Sequence, residues 1–136
     1  MTQAAAKTAA VADHSVALRA VPRLYCVTDA TAAAGMPDGD YPLGRHTVTK
    51  RGGSVFLADG TLAGSALTMD QALRNLVSIG LDMADASQRL SAFPADFIGA
   101  SDRGRIAEGA FADFVVLDGN LQVVQVVVEG ETVFTV

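Results

Sequence analysis

The first residue whose type and position could do chemistry is Asp29, which follows an apolar run over residues 24–27. The run is long enough for one buried strand, so the Asp29 carboxylate would stand where that strand ends and a loop of small residues begins. Barrel and open α/β folds place their catalytic groups at such strand ends, and a carboxylate there can do acid–base chemistry. The alternative is that Asp29 only caps the following turn, and by position alone this role is favoured.

A second informative loop covers residues 58–65, with the sequence ADGTLAGS. Its Asp-Gly pair predicts a tight turn, and Gly64 would allow a ligand to approach the backbone closely. The alternative is a plain connection between a hairpin and the next helix, which composition alone favours.

Metal-binding side chains are scarce, since the chain has two histidines and one cysteine. His14 and His46 have no second histidine or carboxylate at a ligand spacing, so no metal site is predicted. His46 is expected to face solvent because it is assigned to the polar side of an alternating strand, and His14 is expected to cap a helix at the surface. Cys26 lies within the apolar run and is interpreted as a buried small hydrophobic residue rather than a nucleophile.

Periodicity predicts an α/β chain. A weakly docked alanine-rich helix is expected over residues 1–12, and a short helix over residues 16–21 that Pro22 ends. Two or three antiparallel strands should follow between residues 37 and 58. Met69, Leu73, Leu76 and Val77 form the apolar stripe of a helix that Gly80 ends, and further helices are expected from Leu81 and from Pro94. From Gly104 onward the pattern is typical of β structure, with strands over residues 112–118, 122–129 and 132–136.

Composition narrows the function classes. With 136 residues, of which 50% are apolar, the chain can bury the core of one domain. A net charge of −5 with scattered basic residues argues against a nucleic-acid partner. The chain has no run of about 20 apolar residues that could span a membrane, and a single cysteine allows no internal disulfide. Residues 1–12 lack the leucine-rich core that an export signal needs, and an unusual targeting peptide is the alternative to the weakly docked helix. These features predict a cytoplasmic protein.

Four segments resemble, in order and spacing, the C-terminal part of the N-acetylglucosamine-6-phosphate deacetylases of the amidohydrolase superfamily. They are VTDATAAAG at residues 27–35, DGTLAGSALTM at 59–69, RNLV at 74–77 and GRIAEGA at 104–110. The resemblance implies a partial (β/α) barrel end with a β-hairpin insertion over residues 1–103. It also implies a C-terminal β-sandwich-like layer over residues 104–136. A complete barrel needs about 250 residues, so the chain is too short to be the whole enzyme.

The resemblance also assigns roles. Asp29 matches the catalytic carboxylate at the end of the last barrel strand, and Leu62, Ala63 and Gly64 match the loop that lines the sugar-phosphate pocket. The reaction would be metal-assisted removal of acetate from N-acetylglucosamine 6-phosphate, with zinc or a similar divalent cation. The family's metal ligands, a glutamate and two histidines, have no counterpart here, and neither has the arginine that the family supplies to the phosphate across its dimer. His14 is a candidate replacement for the family's substrate-contacting histidine, and Asp96 stands where a basic residue is expected, a change that should bear on local packing.

Three hypotheses follow. The chain is the C-terminal portion of a deacetylase that needs a companion chain or a longer gene product. Alternatively, it is a non-catalytic remnant that self-associates through exposed β-strands, or an amidohydrolase with cyclic-amide or deaminase chemistry. Two deacetylase-like motifs, the segments at residues 27–35 and 59–69, are fairly specific to the resembled family and argue against the last hypothesis. A homo-oligomer or a complementing chain is expected, because an incomplete barrel and an unpaired sheet leave apolar surface to be covered.

Overall fold

The computed structural model describes Leu18 and residues 20–136. The strands are β1 (Gly39–Leu43), β2 (His46–Arg51), β3 (Ser54–Phe56), β4 (Leu62–Ser65), β5 (Phe114–Leu117), β6 (Val123–Val128) and β7 (Glu131–Thr135), and the helices are α1 (Met69–Ser78), α2 (Met83–Leu90) and α3 (Ala92–Phe97). The predicted helix over residues 1–12, most of the one over residues 16–21, and His14 lie outside the described residues. The chain divides into two compact units, a central unit of Val27–Ala72 and a flanking unit of the residues up to Cys26 together with Leu73–Val136.

The central unit is built on a four-stranded sheet in the order β1-β2-β3-β4, in which each strand pairs antiparallel with the next. Gly52 and Gly53 join β2 to β3 with φ angles of 57° and 81°, which suit a tight hairpin turn. The predicted antiparallel strands are therefore confirmed, and the sheet extends one strand further than expected because residues 62–65 also join it.

The core of the central unit is small. Val48 and Val55 lie on adjacent strands and are buried together with Ala33, and partly buried residues pack around them: Tyr41, Leu43, Leu57, Ala63 and Ala66. His46 is exposed, as predicted. The expected reason was wrong, because His46 shares the side of β2 that carries Val48 and is exposed as the first residue of the strand.

In the flanking unit, the helices enclose a core of Leu73, Leu76, Leu81 and Ala86. The predicted apolar stripe of α1 is thus confirmed at Leu73 and Leu76. It fails at Met69, which is 46% exposed at the first residue of the helix. Helix α2 begins after Asp82, whose carboxylate accepts hydrogen bonds from the backbone N–H groups of Ala84 and Asp85 at 2.9 and 3.1 Å.

The buried strand predicted for residues 24–27 is not formed. Leu24 and Val27 are 38% and 68% exposed, and residues 24–27 join no ladder. A buried strand needs neighbouring strands on both sides, and in the described part of the chain this run is hydrogen-bonded to a single helical residue, Arg89, instead. Arg89 donates from Nη1 to the Leu24 carbonyl at 3.0 Å, and the Cys26 N–H donates to the Arg89 carbonyl at 2.9 Å.

Cys26 is half-buried against the core of the flanking unit. Burial raises the pKa of its thiol, and the nearby Arg89 guanidinium only partly opposes this effect. The thiol therefore stays protonated at neutral pH, which agrees with the prediction of a small hydrophobic residue rather than a nucleophile.

Arg89 itself is 4% exposed, and its Nε donates to Asp85 Oδ1 at 3.0 Å. We expect Asp85→Ala to lower the free energy of unfolding by about 2 kcal/mol, because a buried guanidinium loses its counter-charge. Urea titration followed by circular dichroism measures this. Gln88→Ala, an exposed change in the same helix, is the matched control; equal losses for both variants would contradict the role of the ion pair.

Asp96 bridges two arginines, with Arg23 Nη2 at 2.5 Å from Oδ2 and Arg105 Nη2 against Oδ1. The Arg105 and Arg23 guanidinium groups hold the pKa of the Asp96 carboxyl below its ordinary value. Asp96, which stands where a basic residue was expected, thus forms ion pairs that connect three segments of the flanking unit.

Because the pKa of Asp96 is lower in the folded chain than in the unfolded chain, its ionised carboxyl stabilises the fold at pH values above the ordinary aspartate pKa of about 3.9. This stabilisation is lost as the pH falls through the lower pKa of the folded state. We therefore expect the melting temperature of the wild-type chain to fall more steeply below about pH 4 than that of Asp96→Asn. Thermal melts between about pH 2 and pH 6 test this, and parallel curves would contradict it.

Strands β5, β6 and β7 form a separate antiparallel sheet of three strands, as the C-terminal pattern predicted. Asp118 closes the β5–β6 turn by accepting the N–H groups of Asn120 and Gln122, both at 2.8 Å. Apolar side chains stay exposed on this sheet, among them Val115 at 52% and Val133 at 61%. The domain boundary predicted at residue 104 stays a prediction. Among the described residues, no helix is long and apolar enough to span a membrane.

Candidate active site at Asp29 and the 62–65 loop

Asp29 lies in the central unit with an exposed side chain and a backbone φ of 51°. This left-handed conformation is uncommon for residues other than glycine, although Asp tolerates it better than most. The backbone is held there by β4: the Ser65 N–H donates to the Asp29 carbonyl at 2.8 Å, and the Thr31 N–H donates to the Ser65 carbonyl at 2.9 Å. These bonds form a parallel bridge between Ala30 and Ser65, so Asp29 is fixed while its carboxylate faces solvent.

Gly64 is buried directly against Asp29. Its φ is +134°, and a Cβ at this position would lie 2.8 Å from Thr31 Cγ2 and 3.1 Å from the Asp29 carbonyl oxygen. The same Cβ would be 3.7 Å from Asp29 Oδ2. The expected approach of a ligand to Gly64 stays a prediction, and the structure shows that the absence of a side chain leaves room for Asp29 and Thr31. The two predicted site segments are therefore in contact.

Leu62 and Ala63 occupy different environments although they are neighbours in β4. Leu62 is 64% exposed at the first residue of the strand, whereas Ala63 packs against the core of the central unit. Only Leu62 among the three predicted loop residues can offer a ligand an exposed side chain. Ala63 and Gly64 can contribute backbone groups and shape.

The loop that leads into β4 is stabilised by the predicted Asp-Gly turn. Asp59 Oδ1 accepts the Thr61 N–H at 2.9 Å, and the Gly60 N–H donates to the Leu57 carbonyl at 2.9 Å. The Thr61 N–H keeps the pKa of the Asp59 carboxyl below its ordinary value. Asp59 is therefore a turn residue of the loop that leads into β4.

One residue of this site was missed as a site residue. That residue is Ser65, the last residue of β4. In the structure its hydroxyl donates to the Thr28 carbonyl and accepts the Leu67 N–H at 3.1 Å. Because the contact depends on a segment 37 residues away, no local sequence signal could have revealed it.

The described residues contain no binding site for the metal that the resemblance implies. Across Leu18 and residues 20–136, no three residues among the histidines, cysteines, aspartates and glutamates come together in a group that could hold a metal ion.

Known proteins place these features in context. A profile of the amidohydrolase family matches residues 4–133. The N-acetylgalactosamine-6-phosphate deacetylase of Escherichia coli O157:H7 is 41% identical over 111 residues, which are 80% of this chain and 29% of the relative.

Two solved structures are similar over most of this chain. The N-acetylglucosamine-6-phosphate deacetylase of Thermotoga maritima is 38% identical with a TM-score of 0.81, covering 90% of this chain and 34% of its own. That of Mycobacterium smegmatis, a variant with one aspartate replaced by alanine in complex with N-acetyl-D-glucosamine-6-phosphate, is 35% identical with a TM-score of 0.84, covering 92% and 35%.

The chain thus spans about a third of the length of these three proteins. Its α and β elements superpose on the corresponding part of the deacetylase structures, in agreement with the four segments that carried the resemblance. Since the family profile covers nearly all of its residues, the chain belongs to the amidohydrolase family.

Proposed function

We propose that this chain forms the C-terminal part of a metal-dependent deacetylase that removes acetate from N-acetylglucosamine 6-phosphate and leaves glucosamine 6-phosphate. The observation that carries the proposal is the packing of Gly64 against Asp29, which unites the two deacetylase-like motifs in one site. Similarity to solved deacetylases over nine tenths of the chain supports it. An aspartate is also the residue replaced in the Mycobacterium smegmatis variant that holds the sugar phosphate.

In the proposed reaction, water attacks the carbonyl carbon of the N-acetyl group and the C–N bond breaks. Asp29 takes a proton from the attacking water and passes it to the nitrogen of the departing amine, so the products are acetate and an amino sugar phosphate. The exposed carboxylate on a fixed backbone suits such a proton carrier. A divalent cation in this family would polarise the carbonyl and activate the water. The described residues do not fit a metal site, so its ligands belong to a segment outside them.

Leu62, Ala63 and Gly64 are proposed to line the sugar-phosphate pocket beside Asp29. Some relatives are named as deacetylases of N-acetylgalactosamine 6-phosphate and others as deacetylases of N-acetylglucosamine 6-phosphate, so the two named substrates differ in the sugar. Leu62 is the residue we expect to touch the sugar with its side chain, because it is the exposed one of the three.

The finer architecture is also a proposal. Residues 1–103 would complete the end of a (β/α) barrel, and residues 104–136 would belong to a β-sandwich-like layer. The exposed apolar side chains of β5 to β7 support burial against a further segment or a second copy.

We propose a cytoplasmic location, as for other enzymes that degrade phosphorylated sugars.

The test is a chimera in which this chain replaces the matching third of the Thermotoga maritima deacetylase. We expect acetate release from N-acetylglucosamine 6-phosphate by the chimera with zinc. N-acetylgalactosamine 6-phosphate is assayed in parallel, and the isolated chain is expected to release no acetate from either sugar. A folded chimera that releases none from both sugars would refute the proposal.

The exposed sheet of the flanking unit favours one alternative, a non-catalytic remnant that self-associates. This alternative predicts an inactive chimera and an isolated chain that sediments as an oligomer. Val133→Lys, placed at an exposed position of β7, would then dissociate the oligomer.

A further inference from the structure

We infer that Ser65 is a positioning residue for Asp29, acting through the backbone on both sides of the carboxylate. The inference rests on the proposed role of Asp29 in the reaction. It adds to the site a residue whose hydroxyl would touch neither substrate nor metal and whose effect on turnover would pass through the conformation of Asp29.

Ser65 forms hydrogen bonds to Asp29 and to residues on both sides of it. The hydroxyl donates to the carbonyl of Thr28, the N–H donates to the carbonyl of Asp29 at 2.8 Å, and the Ser65 carbonyl accepts the N–H of Thr31 at 2.9 Å. One residue thus holds three positions around the carboxylate: the residue before it, its own backbone and the residue two further on.

The same hydroxyl is itself oriented. It accepts the Leu67 N–H at 3.1 Å, so its proton is directed toward the Thr28 carbonyl. A half-buried hydroxyl that donates once and accepts once has little freedom to rotate. The loop after β4 and the segment before Asp29 are therefore joined through a single side chain, and both lie within the central unit.

These hydrogen bonds hold Asp29 in an unfavourable, left-handed backbone conformation. Asp29 has a φ of 51°, and in the left-handed region the Cβ of an L-residue crowds the backbone, so such a conformation persists only where the surrounding structure holds it. The backbone N–H and carbonyl of Ser65 can form ladder contacts whatever its side chain. Only the hydroxyl reaches Thr28, and it thereby fixes the peptide that precedes Asp29. Without it, we expect Asp29 to relax toward negative φ and its carboxylate to move.

The test uses the isolated chain and the chimera together. In the isolated chain, the φ of Asp29 is measured by NMR from amide–Hα couplings and cross-correlated relaxation. In Ser65→Ala we expect the left-handed conformer to lose its dominance, and in Ser65→Thr, which keeps the hydroxyl, to be retained. Ser65→Cys keeps the size with a much weaker donor and should behave like alanine.

In the chimera, kcat for acetate release should fall about 10-fold to 100-fold in Ser65→Ala, with KM changed less than about twofold, because a misplaced catalytic group impairs turnover more than binding. Ser65→Thr should restore kcat. The matched control is Thr49→Val, which removes a hydroxyl that donates to Asp40 Oδ1 at 2.7 Å in the same unit. It should leave both the φ of Asp29 and kcat unchanged.

An unchanged φ of Asp29 in both Ser65→Ala and Ser65→Cys would overturn the inference, whatever the activity of the chimera. So would a changed φ without any loss of kcat. Failure of the proposed function looks different: the chimera would then be inactive with Ser65 intact, while the NMR result would still report whether Ser65 sets the conformation of Asp29.

Discussion

Gly64→Ala is expected to lower the free energy of unfolding by about 3 kcal/mol or more, and to abolish acetate release by the chimera. Two costs add. An L-residue at a φ of +134° is strained, and the new methyl would lie 2.8 Å from Thr31 Cγ2 and 3.1 Å from the Asp29 carbonyl oxygen. The backbone at Asp29 cannot yield easily, because the Ser65 N–H holds that same carbonyl. Urea titration of the isolated chain measures the loss.

Gly44→Ala is the matched control for this substitution. Gly44 also has a positive φ, of 58°, but a Cβ there would meet nothing within 4 Å. Its alanine variant should lose about 1 kcal/mol, the cost of backbone conformation alone. Equal losses at the two glycines would mean that the contact of Gly64 with Asp29 and Thr31 does not limit this position.

Much of the fold was predictable because its signals are local. The paired glycines at 52–53, the apolar stripe of α1 and the β-branched runs after residue 112 each depend on residues within one element or turn. The predicted strand over residues 24–27 failed for the opposite reason. Its apolar composition was interpreted as burial, but burial of a strand depends on neighbours, and in the described residues this run is tied instead by Arg89, more than 60 positions away.

The candidate site was predictable in its parts and not in its assembly. Asp29 and residues 62–64 were identified from motifs that resemble a known family, and the structure brings them into contact. Close approach of a ligand to Gly64 stays a prediction; the structure adds that a side chain at this position would meet Thr31 and the backbone of Asp29. Ser65 was missed as a site residue because its role lies in a contact with Thr28, which sequence spacing does not indicate.

Asp29→Asn should impair the reaction while leaving the fold intact. The amide has nearly the shape of the carboxylate but cannot take up a proton at neutral pH, so acid–base assistance is removed while packing is kept. We expect kcat of the chimera to fall about 10³-fold, within the usual range for a proton-transferring group. Because the side chain is exposed, the free energy of unfolding should change by less than about 0.5 kcal/mol.

The decisive measurement is therefore acetate release from N-acetylglucosamine 6-phosphate by the parent chimera and by its Asp29→Asn variant, each with zinc. Asp40→Asn, which replaces an exposed carboxylate of β1, serves as the control and should keep full activity. Our account predicts a folded Asp29→Asn chimera that binds the sugar phosphate and turns it over about a thousand times more slowly. An Asp29→Asn chimera as active as its parent would contradict the assignment of Asp29 as the proton carrier.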